Sequence, residues 1–397
     1  MTRVLLLKLN GWRQTFDERV EAIAANTDGV VLVRPRPPQQ SGGLSTLDNV
    51  RTYDIWPTRG RFVRPNWLKP LVFPVHVLGA ILLMFVLYLR GELPPVVHAL
   101  DYALGGMAGA VVSRVCGVSL VVSVRGLKDS KFERSDKLTA RVSHRILQSM
   151  TEFVFSSADH IVTKSAYQVS FVENTCDVDA TFTTVPTGVD FELFDPGVVR
   201  PSFPDEVGQQ LDESDDIVLY LSTLIPKKGP DQVLRLLEAA AKELPDDVTF
   251  VFIGEFRDDA FEETFKGLGE AVSDRVVIHS EAVPFESVPG VLAQADATVL
   301  LSESKTEGVP RILQESCAMG TPIIAADVAG IADAFRDLPG CYLVDREDAM
   351  AFGDAVTRAT SNPPAMPREV FAERFDMYGN YAKYTTIYDE LSISRDR

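Results

Sequence analysis

Two carboxylates eight positions apart, Glu307 and Glu315, lie in the stretch VLLSESKTEGVPRILQESCAMGTPIIAADVAGI from Val299 to Ile331. An apolar run ends near Leu301, a polar loop follows, and a helix is expected to start at Pro310 and stop at Gly320, because proline suits the first helical position and glycine the residue past the last. Five residues of rise at about 1.5 Å each put Glu315 roughly 7 to 8 Å beyond the helix start. The two acids can therefore address separate parts of one elongated ligand. Between them lie free N–H groups and the positive end of the helix dipole, both of which favour a phosphate. A sugar nucleotide has its parts in that order: hexose hydroxyls, diphosphate, ribose hydroxyls. The bland alternative is a pair of solvated surface acids, but the coincidence with strand, loop and punctuated helix favours ligand binding.

The elements that must position these groups are written as short runs rich in Val and Ile, separated by longer helical patterns. Val4 to Leu7, Val30 to Val33, Val96 and Val97, Leu120 to Val124, and Ile161 and Val162 form one set. A Pro- and Asp-rich stretch from Asp195 to Asp216 interrupts the pattern. It restarts with Ile217 to Leu221, Val248 to Ile253, Val276 to Ile278, Ala297 to Leu301 and Ile323 to Ala326. Unalternating runs of this kind belong to strands covered on both faces. Two sets of βαβ units predict an α/β chain of two doubly wound, Rossmann-like domains, residues 1–197 and 198–367. Ligands in such sheets bind beyond the carboxyl ends of the strands, and the cleft between the domains is the default location.

The 397 residues carry 39 Lys plus Arg against 56 Asp plus Glu, a formal net charge of −17, and 46% of them are hydrophobic. Each domain can close its own core without staples, so disorder, collagen and coiled coil are excluded. So acidic a chain repels nucleic acid at long range, and any phosphate must be held locally. Cys116, Cys176, Cys317 and Cys341 include no CxxC pair. They point to a reduced, cytoplasmic setting and to no metal site. The run Val4 to Leu7, followed at once by Lys8, is too short for a signal peptide and reads as a buried strand.

Leu71 to Leu89 is apolar apart from Pro74, His76 and Gly79. Spanning a bilayer would divide one sheet between two compartments, so that reading is rejected. The expectation is a helix buried against the sheet and a neighbouring helix. The sharper alternative is peripheral contact with a lipid surface, favoured by Arg61, Arg64, Lys69 and Arg90 at its flanks.

Seven pieces, the last of them the block already described, occur in order: VVHALDY at Val96 to Tyr102, VVSVRG at Val121 to Gly126, ADHIVTKS at Ala158 to Ser165, VPTGVDFELF at Val185 to Phe194, LYLSTLIPKKGPD at Leu219 to Asp231, VTFVFIGEF at Val248 to Phe256, and the Glu307 to Glu315 block with GTPIIAADVAGI after it. With them the chain resembles the retaining nucleotide-sugar glycosyltransferases of family 4. The resemblance implies the GT-B architecture, in which the C-terminal helices, residues 368–397, return to the N-terminal domain.

It also implies roles. Glu307 matches the glutamate that contacts the transferred sugar, with Gly308, Val309 and Pro310 supplying backbone beside it, and Glu315 matches the one that binds the ribose. Lys228 matches the lysine on the donor diphosphate, and Gly11 occupies the place of a glycine turn near the same phosphate, although the usual double glycine is lacking. Thr223 stands where the family usually has an arginine, and Arg125 where it usually has a histidine. A leaving diphosphate develops charge that fixed cations must stabilise. Arg311, for proximity, or Arg125, for reach, can replace the missing cation. Glu281 stands where a glycine is frequent.

His98, Asp101 and Asp190 read as structural: Asp101 as a helix cap and Asp190 as a turn residue. No acid and base pair of hydrolase type emerges. The resemblance implies transfer of a hexose from a nucleotide diphosphate sugar to a hydroxyl of a glycan or lipid-linked acceptor bound by the first domain, with retention. It implies no metal and no cofactor beyond the donor; the charge excludes nucleic acid, the cysteines point to the cytoplasm, and the apolar run 71–89 leaves peripheral membrane contact as the alternative to burial. The alternative is a non-catalytic sugar-nucleotide-binding or assembly subunit, prompted by Thr223 and Arg125. A phosphorylase or epimerase fits the ordered motifs less well.

Overall fold

The computed structural model describes residues 2–9, 16–35, 47–55, 69–124, 138–212, 215–303 and 308–395. Its chain divides into two compact units, one of residues 1–186 with 377–397, the other of residues 187–376. The first holds strands β1 (Arg3–Leu7), β2 (Gly29–Pro35), β3 (Val50–Ile55), β4 (Val96–Ala99), β5 (Ser119–Ser123), β6 (His160–Thr163) and β7 (Thr181–Thr184). They form one parallel sheet in the order β3-β2-β1-β4-β5-β6-β7. Its helices are α1 (Asp17–Ala24), α2 (Lys69–Leu89), α3 (Leu104–Cys116), α4 (Leu138–Phe155) and α5 (Ala166–Thr175).

The pleat sends alternate residues of each inner strand to opposite faces. Leu5, Leu7, Val31, Val97, Leu120 and Val122 pack with residues of α2 to α5. Val4, Leu6, Val30, Val96 and Val121 pack instead with α1 and with the chain's last helix, α14 (Met377–Arg395), through Tyr381, Tyr384, Ile387 and Tyr388. A buried polar contact fixes that last helix. His98 Nδ1 lies 2.6 Å from the Tyr388 hydroxyl and its Nε2 lies 2.8 Å from Ser123 Oγ. Burial pushes the His98 pKa down to about 3, so the ring is neutral, as a satisfied structural histidine should be.

Helix α2 departs from the expectation of burial. His76, Ala80, Met84 and Leu87 are buried on one side, whereas Val75, Leu78, Leu82, Val86 and Leu89 on the opposite side are exposed. The sheet and α3 cover only the first stripe. Among the described residues, no helix is long and apolar enough to cross a membrane.

The second unit opens with the short α6 (Asp205–Gly208) and holds β8 (Asp216–Leu221), β9 (Val248–Ile253), β10 (Val276–His279), β11 (Ala297–Leu300), β12 (Ile323–Ala326) and β13 (Cys341–Val344). These form a parallel sheet in the order β10-β9-β8-β11-β12-β13. Around it lie α7 (Pro230–Ala240), α8 (Asp259–Glu270), α9 (Val288–Ala293), α10 (Arg311–Met319), α11 (Ala329–Phe335), α12 (Ala349–Thr360) and α13 (Arg368–Phe375).

The units part at 186/187 and 376/377, against the 197/198 and 367/368 read from sequence. Packing explains both shifts. Val189 and Phe194 are buried with Leu219 and Val251 of the second sheet, and the Val189 amide donates to the Phe375 carbonyl at 2.7 Å. In α13, Phe371 and Phe375 are buried in the second core, and Arg368 donates to the carbonyls of Phe194 and Ala318 at 2.7 and 2.6 Å. Only α14 therefore returns to the first unit.

Candidate functional site

In the second sheet the order of connection reverses between β8 and β11. The carboxyl ends of these neighbours open the place where doubly wound sheets take ligands. The loop after β8 carries Thr223, half-buried, and then a 3-10 turn, Pro226–Lys228. That turn is held against the end of β11. The Glu303 amide donates to the Lys227 carbonyl at 3.0 Å. Gly229 has φ +70°, and a Cβ there would lie 1.9 Å from the Leu301 carbonyl oxygen. Only glycine allows so close an approach. The same carbonyl accepts from Arg346 Nε at 3.0 Å. Lys228 is thus carried on a rigid turn at the reversal point.

The loop after β11 leads to α10. Pro310 is its N-cap, one residue ahead of the first helical residue Arg311, and no side chain caps the first turn. Those N–H groups remain available to an acceptor such as a phosphate. Gly320, at φ 75°, ends the helix as expected. Val309 and Pro310 are buried, and Gly308 is half-buried.

Glu315 is buried, 7% of its side chain being exposed, and its Oε1 lies 2.7 Å from Arg311 Nε. The i,i+4 spacing brings the two onto one helix face. The Arg311 guanidinium also lies over the Phe285 ring, 4.7 Å from its centroid. The ribose-binding acid and the replacement cation of the sequence reading are therefore partners of each other.

Gln314 is fully buried and was not singled out in the sequence. Its Oε1 accepts from the Gly188 amide at 3.1 Å, and its Nε2 donates to the carbonyls of Val309 and Pro310 at 3.1 and 3.4 Å. One amide so joins the VPTGVD segment to the approach of α10. Its only sequence signal was its place beside Glu315, and for Phe285 and Arg346 there was none beyond a position past a strand end.

Glu307, Gly11 and Arg125 lie outside the described residues. Glu281 is exposed. Asp101 accepts from the amides of Leu104 and Gly105 at 2.9 and 3.3 Å, and Asp190 from those of Glu192 and Leu193 at 2.9 and 3.2 Å. Both are spent on local backbone. Among the described residues, no group of three or more His, Cys, Asp or Glu could hold a metal ion.

Two family models match the chain: a glycosyl transferase 4-like domain over residues 10–188 and glycosyl transferases group 1 over residues 204–380. Among curated proteins, the D-inositol 3-phosphate glycosyltransferase of Thermomonospora curvata is 28% identical over 279 residues, covering 66% of this chain and 62% of that protein. A GDP-mannose-dependent α-(1-6)-phosphatidylinositol monomannoside mannosyltransferase of Mycolicibacterium smegmatis is 26% identical over 223 residues, covering 55% and 56%. The chain thus spans about three fifths of the length of these relatives. Among solved structures, the sucrose-phosphate synthase of Thermosynechococcus elongatus superposes with a TM-score of 0.76 at 18% identity, covering 99% of this chain and 100% of that one. The HepE protein of Anabaena, solved with UDP-glucose, gives 0.66 at 14% identity, covering 99% and 100%. These likenesses give the fold, GT-B.

Proposed function

Because the chain belongs to the family-4-like glycosyltransferases, we propose that it transfers a hexose from a nucleotide diphosphate sugar to a hydroxyl of a glycan or lipid-linked acceptor, with retention of configuration. The observation that carries this reading is the convergence, at the β8/β11 reversal, of the Lys228 turn with the uncapped start of α10 and its buried Glu315. Glu315 takes the ribose hydroxyls, Lys228 and the α10 amides take the diphosphate, and Glu307, with Gly308 to Pro310, takes the hexose. Relatives solved with UDP and UDP-glucose support a nucleotide-sugar donor.

In this mechanism the bond from the anomeric carbon to the diphosphate breaks as the acceptor oxygen bonds to the same carbon. Charge grows on the leaving phosphate, and fixed cations and amides stabilise it most where water is excluded. Lys228 supplies one cation and Arg311 the second, once the ribose has claimed part of Glu315. The leaving phosphate accepts the acceptor's proton, which suits a site without a dedicated base. Gly11, Thr223 and Arg125 complete the donor environment, and no metal or further cofactor takes part. The enzyme works in the cytoplasm, and residues 71–89 give it peripheral contact with a membrane.

The test is a panel of nucleotide sugars. One donor should raise the melting temperature of the chain, since a ligand of the folded state stabilises it in proportion to affinity. Nucleotide release from that donor should fall strongly in Glu307→Ala and Lys228→Ala. Donor binding without release by the parent chain would instead indicate the non-catalytic subunit. A product with inverted anomeric configuration would overturn the retaining mechanism.

A further inference from the structure

The chain's charge is unevenly placed. Residues 56–150 contain 13 Lys plus Arg and 5 Asp plus Glu, a net of +8, so the remaining residues carry −25 of the total −17. Within this segment, residues 69–124 and 138–150, which supply α2, α3 and most of α4 over one face of the first sheet, contain 5 Lys plus Arg and 2 Asp plus Glu. Exposed apolar residues gather on the same helices. Val75, Leu78, Leu82, Val86, Tyr88 and Leu89 of α2, Val115 of α3 and Ile146 of α4 make up eight of the 13 large hydrophobic residues exposed among those described.

The α2 residues form a stripe about 20 Å long at 1.5 Å per residue, on the side facing away from the sheet. Between α3 and α4 lies a groove of about 380 Å³ lined by Met107, Ile146, Ser149, Met150 and Phe153, with Arg145 among its walls. Arg114 covers one of these walls, its guanidinium 4.5 Å from the centroid of the Phe153 ring. Apolar surface edged by arginines is thus presented by three adjacent helices.

We propose that the outer surface of α2, α3 and α4 docks on an anionic lipid bilayer, with the α2 stripe seated among the acyl chains and the α3–α4 groove taking an apolar chain below a headgroup held by Arg145. The inference deepens the peripheral contact of the proposed function and rests on that reading for its purpose, though not for its evidence. Charge decides the occupant. A second copy would set the exposed Arg90, Arg114 and Arg145 against their own counterparts, whereas an anionic headgroup layer attracts them despite the acidic whole. An apolar patch of this extent is otherwise a liability in water. A helix apolar on its outer side and flanked by cations lies in the interface and need not cross it.

The test is flotation of the full chain with vesicles of phosphatidylcholine alone and of phosphatidylcholine doped with phosphatidylglycerol. The chain should float with the anionic vesicles only, and less so as salt is raised. Leu78→Glu and Leu82→Glu alter exposed positions, so the melting temperature should hold while vesicle partitioning drops roughly tenfold or more for each. Arg145→Ala should weaken it about fivefold. Equal binding to neutral vesicles, no binding at all, variants that float like the parent, or self-association abolished by Leu82→Glu would each overturn the proposal. Donor-induced stabilisation, measured in parallel without lipid, separates the two readings. A chain that binds donor but never vesicles loses only the docking face, and one that floats but binds no donor keeps the docking face and loses the transferase reading.

Discussion

The side chain of Gln314 accepts a hydrogen bond of 3.1 Å from the backbone amide of Gly188, which binds the residue beside the buried acid of α10 to a loop at the opening of the second unit. The same side chain donates to Val309 and Pro310. Its loss would leave the buried Gly188 amide and Val309 carbonyl without this partner. Gln314→Leu should therefore destabilise the protein by about 2–4 kcal/mol, read from denaturant unfolding of the second unit. Gln314→Glu should not rescue it, because a carboxylate would face two carbonyls. A loss under about 1 kcal/mol would show that water replaces the amide.

Arg311 and Glu315 should behave as a coupled pair. Each single alanine leaves a partly buried charge without its partner, so a double-mutant cycle should give a coupling of about 1–3 kcal/mol, discounted for the 24% exposure of the Arg311 side chain. Glu315→Ala should in addition weaken donor binding roughly tenfold or more, by calorimetric titration, as expected for loss of charged hydrogen bonds to hydroxyls.

Gly229→Ala tests the turn beneath Lys228. Its positive φ and the 1.9 Å approach to the Leu301 carbonyl both forbid a side chain. The left-handed conformation alone costs about 1–2 kcal/mol, and the clash adds to it. A fall in melting temperature with a parallel loss of donor affinity is the expected result. Unchanged affinity would separate the turn from the donor.

Stability should depend on pH through His98. Its pKa is about 3 in the folded chain against an ordinary 6.5. Between those values the unfolded chain binds a proton that the folded chain does not, so stability rises with pH across the window and falls as the solution is acidified, by up to about 1.4 kcal/mol per unit. His160, also lowered by burial, acts in the same direction. Unfolding free energies measured from pH 7 to pH 4 should show the slope, and His98→Gln should flatten it.

The inner strands were legible because each is buried on both faces and is written almost wholly in aliphatic residues. The runs that went unread, β3, β7 and β13, are all edge strands. Their residues are only partly buried, as in TFTT of β7, and one-sided cover does not demand the apolar run. In the candidate site, the punctuation of α10 was legible from Pro310 and Gly320. Gln314 was not, because a buried amide announces itself only through partners distant in sequence. The apolar composition of α2 announced burial but could not tell one covered side from two.

The composition of the first unit, residues 1–186 joined by 377–397, has a consequence for biosynthesis. As the nascent chain leaves the ribosome, Val4, Leu6, Val30 and Val96 have no α14 to lie beneath until every residue of the second unit has been made. The half synthesised first must then be the half completed last. In that interval α1 alone covers this sheet face, and the part left open is a natural client for chaperones.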